Sequence, residues 1–196
     1  MSFSVFFADY LGSILALTAT ILCARNNVYS WPVSILTSLI SLYLYCMTGI
    51  YGEATLQVLY LFLAIYGLFN WLYGGENKQR LAITNLPLLE AYILLFLAVV
   101  SYHVTTFVLI THTNSTVPHL DAIVLTLSLI GQWLTSRKYI ESWAVWFVVD
   151  VIFAVVCYNK ALNAHFVLNL MYLPIVFYGY NTWRNSMSPK LRPVLL

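Results

Sequence analysis

Charge is scarce in this chain: Asp, Glu, Lys and Arg together make up 8% of it, where a soluble domain carries roughly 25%. A soluble fold of this length needs a polar surface that these residues cannot supply. The net charge is +2 and no basic run exceeds two residues, so nothing points to nucleic acid as a partner. Cysteine is sparse too. Cys23, Cys46 and Cys157 all lie in apolar stretches and read as small packing side chains, not as a disulfide framework. No Lys or Arg precedes the first apolar run, so it is read as a retained span and not as a cleaved signal peptide. The chain has no phosphate-binding glycine loop, nucleophile elbow or paired-His metalloprotease signature. His112, His119 and Asp121 lack a metal-ligand spacing, and His103 and His165 are isolated. No catalytic apparatus, cofactor or metal is expected.

What is present is hydrocarbon: 61% of residues are hydrophobic. Apolar runs appear at about Ser4–Ala24, Tyr29–Met47, Ala54–Tyr73, Leu86–Ile110, Leu120–Ser136, Ser142–Tyr158 and Ala161–Trp183. Most approach the length that crosses ~30 Å of hydrocarbon at ~1.5 Å per residue. The fifth and sixth are short, which predicts local thinning or burial behind neighbouring helices. No connecting segment is large enough for a separate soluble domain. The fold class is therefore all-α integral membrane, a single membrane domain over residues 1–196 with seven spans. Basic residues fall on one side of these spans: Arg25, Lys78, Arg80, Arg137, Lys138, Arg184, Lys190 and Arg192, against Lys160 alone on the other. Positive charge favours the cytoplasm. The N-terminus is placed outside and the tail, 185–196, inside.

The chain also repeats itself. Sliding it by 112 positions aligns Leu22–Trp71 with Leu134–Trp183 without a gap, and 12 of the 50 pairs are identical. Arg25 meets Arg137, Ser30-Trp31 meets Ser142-Trp143, Tyr60 meets Tyr172, Gly67 meets Gly179 and Trp71 meets Trp183. Each copy holds three spans, so direct fusion would invert one copy. The unmatched fourth span restores the orientation. Three plus one plus three follows, with parallel repeats at about 4–73 and 120–184 and a linker helix at about 86–110. Pseudo-symmetry of this kind places a binding site near the midplane of the bilayer and favours a transporter.

The sixth span holds the most specific constellation. Trp143, Trp146 and Asp150 fall at i, i+3 and i+7 and share one helical face. A carboxylate at the centre of a span costs about 2.5–3.5 kcal/mol even on the lower scales, so it demands a partner or a wet cavity. Indoles beside a carboxylate suit a flat cationic ring, through stacking and charge compensation. Trp143 lies near the end of its span and fits an interfacial belt equally well. Gln57 and Tyr60 correspond by the repeat to Asn169 and Tyr172, and these amides and phenols fit either a solute or one another. Asp150 corresponds to Ser38, an asymmetry that an asymmetric solute requires. Pro174 predicts a kink in the seventh span that Phe62 cannot make in the third. Gly67 and Gly179 predict close helix contact.

The run Ser136-Arg137-Lys138-Tyr139-Ile140-Glu141-Ser142-Trp143-Ala144-Val145-Trp146 resembles the Pnu vitamin transporters, as do Tyr51 to Val58, Tyr66-Gly67 with Trp71, and Gly179 to Trp183. The resemblance covers nearly the whole chain. It implies facilitated diffusion of a water-soluble vitamin with intracellular phosphorylation as the trap, a fold like that of the SWEET sugar transporters, a homotrimer, and residence in the bacterial inner membrane. The nicotinamide riboside branch carries Asn at the position of Asp150. An Asp there suits the aminopyrimidine and cationic thiazolium of thiamine better than neutral riboflavin. Thiamine is therefore the first expectation, with nicotinamide riboside as the alternative. A sugar transporter on a similar scaffold would stack pyranose faces on the indoles. A membrane enzyme acting on lipid would need a clustered acid, base and metal set that the chain lacks.

Overall fold

The computed structural model describes residues 3–48, 51–113, 115–159 and 163–187; Lys160, Ala161, Lys190 and Arg192 lie outside them. The described residues form seven α-helices: α1 (Phe3–Ala24), α2 (Ser30–Thr48), α3 (Tyr51–Tyr73), α4 (Leu88–His112), α5 (Pro118–Ser136), α6 (Ser142–Asn159) and α7 (Asn163–Ser186). Every expected apolar run is a helix. By length and composition, Ser30–Met47, Ala54–Tyr73 and Leu88–His112 are long and apolar enough to cross a membrane, and Tyr10–Ala24 and Ser142–Tyr158 are shorter apolar stretches. Hydroxyls inside these helices satisfy themselves locally. Thr18, Thr20, Thr37, Thr135 and Thr182 each donate to the carbonyl four residues earlier at 2.8–2.9 Å, the arrangement hydrocarbon favours.

The chain divides into two compact units. The first holds α1, α2 and α3 together with Ser136–Lys138. Its centre is aromatic: Trp31 meets Trp71 edge-on, with centroids 5.4 Å apart and planes at 85°. A Cβ on Gly67 would lie 2.6 Å from Trp31 Cζ3, so only glycine lets α3 approach α2 this closely. Ser136–Lys138 is clasped by side chains of the α3 end. Asn70 Nδ2 donates to the Ser136 carbonyl at 2.9 Å, and Arg137 donates to the Tyr66 hydroxyl at 3.3 Å. Lys138 Nζ donates to the Leu81 carbonyl at 3.0 Å and stands 4.3 Å from the centre of the Trp71 ring. Lys138 is thus buried and not a solvated loop charge. Burial pushes its ammonium down to about 8, with Cys23 opposing and Arg80 adding to the shift.

The second unit holds α4, α5 as far as Thr135, α6 and α7. Its aromatic centre has the same construction: Trp143 meets Trp183 edge-on at 5.4 Å and 89°, and a Cβ on Gly179 would lie 2.6 Å from Trp143 Cζ3. The turns that open α2 and α6 also match. Asn26 and Lys138 adopt φ of 54° and 56°. Asn27 N donates to Leu22 O at 2.9 Å, and Tyr139 N to Leu134 O at 3.0 Å; Ser30 and Ser142 each cap the turn with a 3.1 Å bond. Helix α5 is the most covered of the short helices, with Ala122, Thr126, Ser128, Leu134, Thr135 and Ser136 all buried, so burial accounts for its polar composition. Only Thr106 is buried in α4 among the described residues. This helix starts two residues later than its apolar run because Pro87 caps it in an extended conformation and disfavours helix at Leu86. The Leu86 amide instead donates to a Glu141 carboxylate oxygen at 2.9 Å. Pro174 sits inside a continuous α7, at the cost of one helical hydrogen bond.

Candidate functional site

Helix α6 begins at Ser142, which puts Trp143 in its first turn, Trp146 in the next and Asp150 at its midpoint. Their environments differ sharply. Trp143 is 3% exposed, enclosed by Trp183 and Gly179, so it belongs neither to an interfacial belt nor to an open ring face in this conformation. It packs α6 on α7. Trp146 is half-buried and held from α5: its Nε1 donates to Thr135 Oγ1 at 3.0 Å. Asp150 is also half-buried and makes no hydrogen bond or ion pair to the described residues. A carboxylate at the middle of an apolar helix is costly unless it has a partner or a wet cavity.

Helix α7 adds the rest of this unit's candidates. Asn169 is buried and Tyr172 half-buried, one turn apart on one face. Tyr172 lies within electrostatic reach of Asp150, so α6 and α7 bring a carboxylate and a phenol together, with the Asn169 amide one turn before the phenol. The repeat-equivalent candidates Ser38, Gln57 and Tyr60 belong to the first unit. Ser38 is buried in α2, while Gln57 and Tyr60 lie half-buried one turn apart on α3. Ser34 occupies the repeat position of Trp146 and Ser38 that of Asp150. The stacking ring and the charge therefore reside in the second unit alone. Sequence reasoning missed Thr135 and Gly131, the α5 residues against which Trp146 rests. Their one signal was a small residue four positions before a hydroxyl, which reads as ordinary close packing.

No group of three or more His, Cys, Asp or Glu side chains able to hold a metal occurs among the described residues, and the three cysteines are free thiols. The region offers stacking, one negative charge and neutral hydrogen-bonding groups.

Comparison with known proteins gives the family. The chain is 24% identical to the nicotinamide riboside transporter PnuC of Escherichia coli (strain K12), over 91% of this chain and 85% of that one. It is 27% identical to the protein of the same name from Neisseria mucosa, over 89% and 72%. It is 22% identical to the riboflavin/roseoflavin transporter RibM of Streptomyces davaonensis, over 97% and 91%. Its fold is that of the crystal structure of the vitamin B3 transporter PnuC, with a TM-score of 0.72 at 20% identity, covering 95% of this chain and 83% of that one. Residues 7–185 match the family model described as nicotinamide mononucleotide transporter. With that match spanning nearly the whole helical chain, the protein belongs to this Pnu-type family of membrane transporters.

Proposed function

We propose that the chain carries a cationic, ring-bearing B vitamin across the bacterial inner membrane by facilitated diffusion, with nicotinamide riboside ahead of thiamine. The observation that carries the cationic reading is the half-buried Asp150, without a hydrogen bond or ion pair to the described residues and one turn from the half-buried Trp146. A pyridinium ring satisfies both, stacking on the indole while its charge meets the carboxylate. Thiamine has the same two attributes, but none of the relatives above carries it in its name, whereas two are named for nicotinamide riboside. Riboflavin, in the name of a third, is neutral and would leave Asp150 uncompensated. Asn169 and Tyr172, with Ser38, Gln57 and Tyr60 of the other repeat, complete the proposed set of solute contacts, and Trp143, one turn before Trp146, anchors α6 on α7. The whole chain acts as one membrane domain, a SWEET-like arrangement of three plus one plus three helices with parallel repeats, assembled as a homotrimer. The matched turns and indole–glycine contacts of the two units support the duplication. Labelled nicotinamide riboside and thiamine, offered separately to liposomes holding the pure protein, test the assignment. Nicotinamide riboside enters faster; entry of neither vitamin, or competition by sugars, removes the reading.

Among the described residues Asp150 is the one carboxylate near the centre of a helix, which supports a mechanism without a chain of acids for a proton relay. Uptake therefore stops at equal concentrations inside and out, whatever proton or sodium gradient is imposed, once the potential is clamped. Clamping is needed because a permanent cation responds to voltage by ~2.3 kcal/mol per 100 mV. Accumulation driven by either ion gradient ends the uniporter proposal.

The distribution of basic residues supports an external N-terminus and a cytoplasmic C-terminus. Thr116, exposed between α4 and α5, and Glu76, exposed between α3 and α4, fall on opposite sides in this topology. With the exposed Cys46 replaced by Ala, Thr116→Cys reacts with an impermeant thiol reagent in intact cells and Glu76→Cys does not. The opposite labelling pattern inverts the topology.

A further inference from the structure

Trp146 is braced from α5 in a manner with no counterpart in the first repeat, where Ser34 takes its place. A Cβ on Gly131 would lie 3.0 Å from Trp146 Cε2 and 3.3 Å from both Cδ2 and Cζ2. Cε2 and Cδ2 are the ring-fusion carbons of the indole. They carry no hydrogen and are surrounded in the plane by other ring atoms, so an approach this short comes from above or below the plane. Gly131 therefore lies under one face of the indole. The remaining polar point of the ring, Nε1–H, donates to Thr135 Oγ1 at 3.0 Å, and the same hydroxyl donates to Gly131 O at 2.8 Å. Because its one proton is committed to the Gly131 carbonyl, Thr135 offers Trp146 a lone pair in a set direction. One face rests on a glycine and the edge is pinned by a hydroxyl whose own orientation is pinned in turn. The indole plane is thereby fixed while the ring remains half-buried and not enclosed.

We propose that Thr135 and Gly131 are positioning residues for solute recognition: they lay the Trp146 indole flat against α5 so that its opposite face forms a stacking platform for a planar ring. This rests on the reading of Trp146 as a solute contact. The two residues act at separate points. Thr135 sets rotation in the plane through Nε1, and Gly131 sets how far the platform stands from α5. Any side chain at Gly131 lifts the indole toward the solute and narrows the space that the ring enters. The chemical class selected is a flat heteroaromatic ring, since a puckered ring gains less from a flat, immobile platform.

Binding of nicotinamide riboside to the purified full-length protein, measured by calorimetry, tests this with a double-variant cycle. Thr135→Val keeps the shape, removes the acceptor and strands the indole N–H, so affinity falls roughly tenfold, as for a buried donor left unpaired. Thr135→Ser, which keeps the hydroxyl, recovers most of that loss. Trp146→Phe removes the N–H, and in that background Thr135→Val changes affinity by less than about twofold, the level at which independent sites add. Equal losses from Thr135→Val in both backgrounds, or no loss in the parent, overturn the positioning role. Trp146→Ala separates the two levels of inference. If it weakens binding while Thr135→Val does not, only the positioning role is lost. If it leaves binding unchanged, Trp146 is no solute contact and both fall. Should Thr135→Val fail to fold, Gly131→Ala decides through the geometry. The raised platform weakens nicotinamide riboside, and Gly131→Ala in the Trp146→Ala background restores indifference; a loss that persists without the indole overturns the proposal.

Discussion

Asp150→Asn weakens binding of nicotinamide riboside by about 2–5 kcal/mol, the range for truncating one partner of a desolvated charge pair. At 1.4 kcal/mol per decade this is roughly 30- to 4,000-fold in Kd. The substitution keeps the side-chain shape and most of its hydrogen-bonding capacity, so the loss reports charge. Water in an open cavity places the expected loss for this ligand at the lower end. The control is a ligand of nearly the same shape without the charge, the reduced dihydronicotinamide riboside. It loses no affinity and binds the variant more tightly than the parent protein, because a neutral ring no longer has to share the site with an uncompensated carboxylate. Trp146→Ala behaves differently: it weakens the charged and the neutral ligand alike, since stacking and area burial do not require net charge. Calorimetry of both ligands on both variants reads the outcome. Equal losses for cation and neutral analogue in Asp150→Asn would make the carboxylate a structural element and shift recognition to Gln57, Asn169 and the tyrosines.

Gly67→Ala and Gly179→Ala carry the second large effect, this time on stability. At each position the added methyl meets the six-membered ring of a buried Trp, 2.6 Å from Cζ3 of Trp31 or of Trp143. Neither indole has room to yield, since both are 3% exposed and locked edge-on against Trp71 and Trp183. The helices must separate, and overpacking of this kind costs about 1–3 kcal/mol. Gly12→Ala in α1 is the internal control. A Cβ there meets Ile40 Cγ2 and Ser41 Oγ at 3.7 Å, which is ordinary contact, so the helix-propensity gain of up to about 1 kcal/mol survives. Thermal unfolding in detergent therefore ranks Gly12→Ala at or above the parent and the other two well below it. Adding Trp143→Phe to Gly179→Ala returns part of the loss by shortening the ring that clashes, and the same holds for Trp31→Phe with Gly67→Ala. Unchanged melting of Gly179→Ala would mean that α6 and α7 slide apart at little cost and that the indole–glycine contact is not a fixed point of the unit.

The sequence by itself determined the helices and the duplication. Hydropathy and helix length are local quantities, and in hydrocarbon the backbone has almost no alternative to satisfying its own hydrogen bonds. The seven apolar runs therefore became the seven helices of the described residues. The repeat was legible because Ser30-Trp31, Gly67 and Trp71 recur in register with Ser142-Trp143, Gly179 and Trp183, and identical residues at identical spacing build the same turn and the same edge-on indole pair. Asp150 was legible as well, since a carboxylate in mid-span is conspicuous in any window. Only tertiary structure decided what surrounds these residues. Trp143 and Trp146 share one helical face and look alike along the chain. Gly179 and Trp183, 36 and 40 positions away, bury the first, while Gly131 and Thr135 brace the second from α5 and leave it half-buried. Lys138 counted with the cytoplasmic charges until Leu81 and Trp71 proved to enclose it. Burial is a property of what packs on a residue from elsewhere in the chain, and periodicity within one helix carries no record of the partner.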